Sequence, residues 1–469
     1  MEEKLIGRRV EQETLQQCMS SGKPEFIAIY GRRRVGKTFL VRQFFAQHFD
    51  FYVTGVYQGN RQEQLGVFNR ALNAHSQAYF PPAANWMDAF EQLKAYLSHL
   101  NKSQVVVFFD ELPWLDTPRS RFIQAFEHFW NSWGSAQSNL KLVVCGSATT
   151  WMMSKVIASR GGLHNRTTRR IHLQPFNLAE TEQYLQHQRI ALSRQQIVEA
   201  YMIMGGVPYY LSLMKRGLSL AQNIDQLFFA PSAELSEEYA LLMRSLFQQA
   251  NYYRLVTEFL AKKAKGFTRK EIVEGLKIDD GGFFSEVLQN LELCDFVRRY
   301  RPFGKAERDT VYQLCDQYTL FYLRHVKGGK AGDEHQWSHI SPTPAHHAWC
   351  GYAFEQVCLQ HTAQIKKALG ISGVQTNVCS WRGRGAQIDL VIDRQDQVIN
   401  VCEIKYALQP YVISKAYARQ LHEHLMLFRQ QTKTRKALHL TMVTTHGIEQ
   451  NINSAEVQSQ VTMDDLFAP

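Results

Sequence analysis

Gly31, Gly36, Lys37 and Thr38 stand at the spacing G-x-x-x-x-G-K-[ST], directly behind the apolar run Phe26-Ile27-Ala28-Ile29-Tyr30. This is the phosphate-loop pattern, and it falls where the chemistry needs it, between a strand and the helical stretch that begins at Phe39. Glycine lets the backbone curl until its N–H groups face phosphate oxygens, and the dipole of the following helix favours the anion. Arg34 and Val35 complete the loop and are counted with it as nucleotide-binding. Lys37 is placed to reach the β- and γ-phosphates of ATP, and the Thr38 hydroxyl to ligate Mg²⁺. A second apolar run, Val105-Val106-Val107-Phe108-Phe109, ends in Asp110-Glu111. Such a run predicts a strand buried on both faces of a parallel sheet. At its end Asp110 is expected to hold magnesium through water, and Glu111 to polarise the attacking water.

A different chemistry is written near the other end of the chain. Ala386-Gln387-Ile388-Asp389-Leu390-Val391-Ile392 and Val398-Ile399-Asn400-Val401-Cys402-Glu403-Ile404-Lys405 read as two strands, with thirteen residues between Asp389 and Glu403. A hairpin brings the two acids together as hard oxygen ligands for Mg²⁺. Lys405, two residues past Glu403, projects to the same face of its strand. There it can orient or deprotonate water and stabilise charge on a phosphorane-like intermediate. The Asp…Glu-x-Lys pattern resembles the PD-(D/E)xK nucleases. By that resemblance Glu355, on the preceding helix, is the fourth site residue, and a helix 414–430 and strand 438–443 complete an α-β-β-β-α-β core.

The elements that must hold the phosphate loop come next. A helix is predicted over 5–20, a second strand over 51–55, and helices over 61–74 and 86–100, separated by Phe80-Pro81-Pro82. The strand Leu142-Val143-Val144-Cys145 ends in Gly146-Ser147-Ala148-Thr149. Ser147 is either a γ-phosphate sensor at the strand tip or the N-cap of the helix that follows, and the two roles are compatible. Beyond it, Arg160 to Phe176 holds a glycine pair and clustered arginines. These are a solvated basic loop or the source of an arginine finger, with Arg166 first among them. Helices over 177–188 and 193–203 follow, then the turn Gly205-Gly206-Val207-Pro208-Tyr209-Tyr210-Leu211.

Taken together, Ile6-Gly7-Arg8, the GRRRVGKT loop, the FFDEL and CGSATT strand ends, the IHLQPF strand and GGVPYYL resemble the archaeal-type ATPase family. That family is a branch of the STAND group within AAA-like P-loop NTPases, and the likeness covers residues 1 to about 215. It implies that Gly7, Arg8 and Pro208 lie near the adenine and ribose, with Pro208 coupling nucleotide state to the next domain. It also implies a frequent fusion to a C-terminal nuclease-like domain. Similar proteins often read L-Y-G-R where this chain has Leu163-His164-Asn165-Arg166.

Between these ends, Thr268-Arg269-Lys270-Glu271 is a capping box opening a short helix. A helix over 283–293 and strands over 296–300 and 310–314, around Arg301, Lys305 and Arg308, complete a winged-helix layout. Glu286, Gln289, Asn290 and Glu292 are assigned to the exposed side of that helix, which carries no Lys or Arg. Acids repel phosphate, so a packing or regulatory role is favoured over DNA reading. Residues 327–344 are rich in Gly, Pro and polar residues.

The expected fold class is α/β: a P-loop NTPase with a parallel sheet, then a mostly helical lid and winged helix, then an α/β restriction-endonuclease-like domain. The boundaries are 1–175, 176–235, 236–327, a linker 328–344, and 345–469. With 469 residues, 45% hydrophobic and 20% charged, the chain has the composition of a globular protein. No apolar run approaches the ~18 residues that span a bilayer, and the start lacks a signal-peptide core. A cytoplasmic location without membrane partners is expected. A net charge of +10 fits polyanionic partners such as nucleic acid or nucleotide. Nucleic acid is the expected partner, DNA ahead of RNA. The eight cysteines form no C-x-x-C pair, which argues against a zinc ribbon or a disulfide framework; Cys358 and His361, though ligand-spaced, read as core and surface residues. The function expected is an ATP-dependent switch controlling a Mg²⁺-dependent nuclease, in defence or genome maintenance, with nucleotide-dependent homo-oligomerisation. The alternative is a STAND-type signalling or regulatory ATPase whose last domain binds nucleic acid or protein without cleaving. A DNA-translocating motor ranks last, since no pore-loop or helicase motif is evident.

Overall fold

The first apolar run forms β1 (Glu25–Tyr30), and its alternating side chains feed two different cores. Phe26 and Ala28 face one cluster with Phe51, Phe68, Phe90, Phe109 and Phe126; Ile27 and Ile29 face another with Leu15, Leu40, Val41 and Phe108. Two covered faces are why these strands are apolar throughout. The computed structural model describes residues 4–158, 161–163, 165–328, 333–341 and 343–469. Within the sequence expectations, Met1 to Glu3, Arg160, His164, residues 329–332 of the linker and Pro342 lie outside the described residues.

β1 is joined by β2 (Phe51–Thr54), β3 (Val105–Asp110), β4 (Leu140–Gly146) and β5 (Arg169–His172) in a five-stranded sheet of order β2-β3-β4-β1-β5. All pairings are parallel. The strand leading to Ser147 thus lies between the phosphate-loop strand and the strand ending in Asp110. The helix expected from residue 5 starts at Arg9, because Gly7 and Arg8 take left-handed backbone angles (φ 64° and 57°). Residues Met1–Gln174 make up the first compact unit and Pro175–Pro469 the second.

The second unit opens with helices Leu178–His187, Arg194–Met204 and Pro208–Ser212. A three-stranded antiparallel sheet follows, of order β6-β8-β7, from β6 (Phe267–Thr268), β7 (Val297–Tyr300) and β8 (Val311–Leu314). Helices Arg269–Leu276 and Gly282–Leu293 accompany it, the first opened by the expected capping box at Thr268 and Glu271. One expectation fails here. Asn290 is buried, because its amide donates to Tyr253 Oη at 2.6 Å inside the core.

The last sheet has the order β13-β12-β11-β10-β9, from β9 (Thr376–Arg382), β10 (Gln387–Arg394), β11 (Val398–Lys405), β12 (Ala437–Thr444) and β13 (Ser459–Thr462). β9, β10 and β11 are antiparallel neighbours; β12 joins β11 and β13 in parallel. The single helix expected over 345–369 is two, Pro344–Gln360 and Thr362–Ala368. The break falls at His361, whose Nδ1 donates to Val357 O (2.8 Å) and whose Nε2 accepts from Leu178 N (3.1 Å). Among the described residues no helix is long and apolar enough to cross a membrane.

Candidate functional site

The phosphate loop is held open by backbone geometry. Gly31 (φ 144°), Arg34 (φ 76°) and Gly36 (φ 89°) all leave the usual regions, and Gly36 hands over to the helix Lys37–Phe44. A Cβ on Gly31 would stand 2.2 Å from Leu173 O, so only glycine passes the residue following β5. Arg34, with a side chain, is carried in the left-handed region, an uncommon state for a residue other than glycine. Lys37 is buried, and its ammonium donates to Gly31 O and Arg32 O at 2.9 Å each. It arches back over the loop it belongs to. Arg8 Nη2 donates to Val35 O at 3.1 Å, which ties the Gly7-Arg8 turn to the same loop.

The end of β3 meets this loop through hydroxyls. Thr38 Oγ1 donates to Asp110 Oδ1 at 2.9 Å. The same oxygen accepts from Glu111 N (3.0 Å) and from the buried thiol of Cys145 (2.7 Å). Burial, then the charge of Asp110, pushes Cys145 well above the usual thiol range, so it stays a donor. Glu111, at φ 46°, turns its carboxylate to Ser147, accepting from both its N and its Oγ at 2.9 Å. Ser147 therefore does not cap the following helix. The segment Thr149–Trp151 starts behind Ala148 with no side-chain cap, because the Ser147 hydroxyl is committed to Glu111. Sequence reading named Ser147 and Glu111 separately and missed their bond, and it missed Cys145 as a partner of Asp110. Arg166 is exposed. Pro208 occupies the first turn of its helix, where proline costs no hydrogen bond.

In the second unit, β10 and β11 pair with Leu390 opposite Cys402, and the register continued one step sets Asp389 against Glu403. Between Ile388 and Val391 the β10–β9 register slips by one residue, a bulge at Asp389 and Leu390. Bulges re-aim side chains beside functional sites. Glu355 is buried on the helix Pro344–Gln360. The Lys265 ammonium bonds to Glu355 and, at 2.6 Å, to Asp389. No motif pointed to Lys265. Burial, then the charge of Asp389, raises Glu355. Burial pulls Lys265 down, but the two carboxylates outweigh it and its net direction is up. Glu403 takes Tyr417 Oη (2.9 Å) and Lys405 Nζ (2.9 Å), so Lys405 does share its face. Tyr417 is raised by burial and then by Glu403. Among the described residues no group of three or more His, Cys, Asp or Glu is gathered to hold a metal ion. Cys358 is buried in the core.

Residues 5–214 match the family model of an ATPase domain found predominantly in Archaea. This stretch is a P-loop ATPase domain. Over its longer span, the chain is similar to a protein of Methanocaldococcus jannaschii, the uncharacterized MJECL04, at 24% identity over 405 residues, 86% of this chain and 87% of that one. Among solved structures it is similar to the Walker-type ATPase PABY2304 of Pyrococcus abyssi, at 17% identity and a TM-score of 0.49, over 68% of this chain and 96% of that chain. It is also similar to the ORC2 protein of Aeropyrum pernix, at 14% identity and 0.44, over 72% and 96%. Within the ATPase domain, the loop backbone, Lys37 and the Thr38–Asp110 pair fit a nucleotide with magnesium. Gly31, Arg34 and Gly36 give the loop its curl, and a hydroxyl lies against a carboxylate as a hard-oxygen donor set.

Proposed function

We propose that the protein is an ATP-driven switch whose output is the carboxylate site of the last sheet, a Mg²⁺-dependent nuclease acting on DNA in preference to RNA. The observation that carries it is the β10–β11 register, which continued one step past Leu390–Cys402 sets Asp389 opposite Glu403, with Lys405 beside Glu403, in a chain that also holds the ATPase domain. In the ATPase domain Lys37 binds the β- and γ-phosphates, Thr38 and Asp110 hold Mg²⁺, and Glu111 orients the attacking water once Ser147 releases it. Gly7, Arg8 and Pro208 border the base and ribose. Ser147 reads the γ-phosphate, and Arg166 supplies charge to it from a neighbouring copy. Held by these residues, magnesium would supply charge neutralisation to the transferred phosphoryl group.

In the second site Glu355, Asp389 and Glu403 are the oxygens that would hold Mg²⁺, which supplies Lewis-acid stabilisation of the scissile phosphate. Lys405 orients or deprotonates the attacking water. The defining experiment is a cleavage panel of linear, circular and single-stranded DNA and RNA with ATP, ADP, a non-hydrolysable analogue or no nucleotide. Mg²⁺-dependent cleavage lost in Lys405→Ala is expected; no cleavage of any substrate in any nucleotide state sinks the reading.

A second reading has one observation in its favour: the carboxylates are matched by lysines rather than gathered around a metal. On it, the protein is a STAND-type regulatory ATPase whose last domain binds nucleic acid or protein. Full biological activity in Asp389→Ala/Lys405→Ala would select it.

A further inference from the structure

Lys265 has no part in either motif, yet its placement is among the most constrained in the second unit. It stands in the turn between the helix Ala250–Leu260 and β6. The next residue, Gly266, is at φ 77°, and a Cβ on it would lie 2.4 Å from Tyr312 O, so the turn runs flush against β8. The Lys265 carbonyl accepts from Tyr300 Oη of β7 at 3.0 Å. The Ala264 carbonyl accepts from Gln313 Nε2 of β8 at 2.6 Å. Gln313 Oε1 in turn takes Arg298 Nη2 (2.6 Å), which also reaches Gln356 Oε1 (3.3 Å), next to Glu355. The backbone of the lysine is therefore fixed to both wing strands.

Its side chain, 24% exposed, leaves the three-stranded sheet and ends between Glu355 and Asp389. The wing itself is docked on the last sheet. Phe303 N donates to Ser380 O at 2.8 Å, at the β9 residue that faces the bulge beside Asp389. The Phe303 ring packs on Phe428 at 5.1 Å, and Phe428 on Trp381 at 5.2 Å. What is left of the cleft is a cavity of about 250 Å³, walled by Lys265, Arg298 and Arg299 as well as by Glu355 and Asp389. That is below the size of ordinary small-molecule pockets, ~300–1,000 Å³, and far too small for a polynucleotide.

We infer that Lys265 is a built-in cation that holds the metal position of the Glu355–Asp389 site, so that divalent metal binding and wing docking exclude each other. An ammonium with two carboxylates meets the charge that a divalent ion would otherwise meet, and the two cations repel strongly at this distance. The same contact explains why these three acids do not gather into a cluster among the described residues: Glu355 and Asp389 converge on Lys265, while Glu403 stays with Tyr417 and Lys405. Activation is then withdrawal of the wing, which uncovers the cleft and frees the acids in one motion. This inference rests on the reading of Glu355, Asp389 and Glu403 as metal ligands.

The test uses full-length protein and Mn²⁺ as the probe, with affinity read by electron paramagnetic resonance and cleavage followed separately with Mg²⁺. Lys265→Ala and Lys265→Met, which keeps the stem without the charge, are compared with the parent and with Lys305→Ala at the exposed wing tip. If the docked state holds nine-tenths or more of the population, freeing the acids tightens apparent Mn²⁺ affinity by about tenfold or more. That gain is expected in both Lys265 variants, absent in Lys305→Ala, and lost when Asp389→Ala is added. Tightening with new cleavage supports both the gate and the nuclease. Tightening without cleavage supports the gate and overturns the nuclease. Equal Mn²⁺ affinity in parent and both Lys265 variants overturns the gate; if all of them cleave, the nuclease reading survives it. No Mn²⁺ bound by any form overturns both.

Discussion

The acids that close β3 and the acids of β10, β11 and the preceding helix are satisfied by opposite means. Asp110 and Glu111 are met by neutral donors: a threonine hydroxyl, a thiol, backbone N–H groups and a serine. The nearby ammonium of Lys37 turns instead to the carbonyls of its own loop. Glu355 and Asp389 are met by an ammonium, and Glu403 by a second one alongside a phenol. Neutral donors are easily shared, because each can rotate or give up one bond without leaving a charge unmatched. A matched ion pair resists intrusion, since removing one partner strands the other in a half-buried site. The first site thus meets its acids with neutral donors, and the second meets its acids with ammonium groups.

The largest break in that contrast comes from Lys37→Ala. If Lys37 takes the β- and γ-phosphates as proposed, its loss should raise the ATP dissociation constant at least about 100-fold, or roughly 2.7 kcal/mol. Isothermal titration calorimetry measures it, and retained tight binding would contradict the loop assignment. Glu111→Gln should act on the other axis. It keeps the acceptor for Ser147 but, on the proposed role of Glu111, removes the group that orients the attacking water, so hydrolysis should fall by ~10²–10³ with ATP affinity within about threefold. A parallel loss of binding would show that Glu111 holds the loop rather than the water.

The two units also differ in acid, although burial lowers His75 in the first unit as well. Burial pushes His361 down to about 4, with the bond to Val357 partly opposing it, and burial then Arg324 and His346 push His325 down to about 4. Both lie in the second unit. Above the unfolded value of ~6.5 neither state binds the proton, and their contribution is constant. Below it the unfolded chain protonates first, so stability falls as pH drops from ~6.5 towards 4, by at most roughly 3 kcal/mol for each histidine. Hydrogen exchange at pH 7.5 and 5 should show second-unit peptides losing more protection than first-unit peptides. His361→Gln, which keeps an acceptor for Leu178 N, should reduce that difference by about half, leaving the share of His325.

Local chemistry was legible in the sequence, and partnership across the fold was not. The phosphate loop, the capping box at Thr268 and the Glu403–Lys405 pair each sit within a few residues, so spacing alone places them. Buried strands were legible because two covered faces leave no polar positions. The strand order, with β4 between β1 and β3, was not, since each strand in a parallel sheet reads alike. Lys265 lies 90 residues from Glu355 and 124 from Asp389, and a lysine before a glycine carries no sign of either. Asn290 was misplaced for the same reason: polarity marks a residue as needing a partner, and Tyr253, 37 residues away, supplied one indoors.

The smallest effects separate the two sites most cleanly. Ser147→Ala removes one of two donors to Glu111 and leaves the backbone N–H in place. Tyr417→Phe removes the phenol from Glu403 and leaves the Lys405 ammonium. A hydrogen bond to a charged group contributes about 1.5–3 kcal/mol when nothing replaces it, but in both variants one donor remains, so a loss of about 1 kcal/mol or less is expected in each. The difference lies in salt. With only a neutral donor left, the stability change in Ser147→Ala should be insensitive to ionic strength. In Tyr417→Phe the whole match of Glu403 rests on a partly exposed ion pair, and the cost should grow as sodium chloride rises from 0.05 to 0.5 M and screens it. Denaturant midpoints at the two salt concentrations give the comparison. Equal salt dependence in both variants would mean that the two sites hold their acids in the same way, and that the lysines of the second site only neighbour the carboxylates they touch.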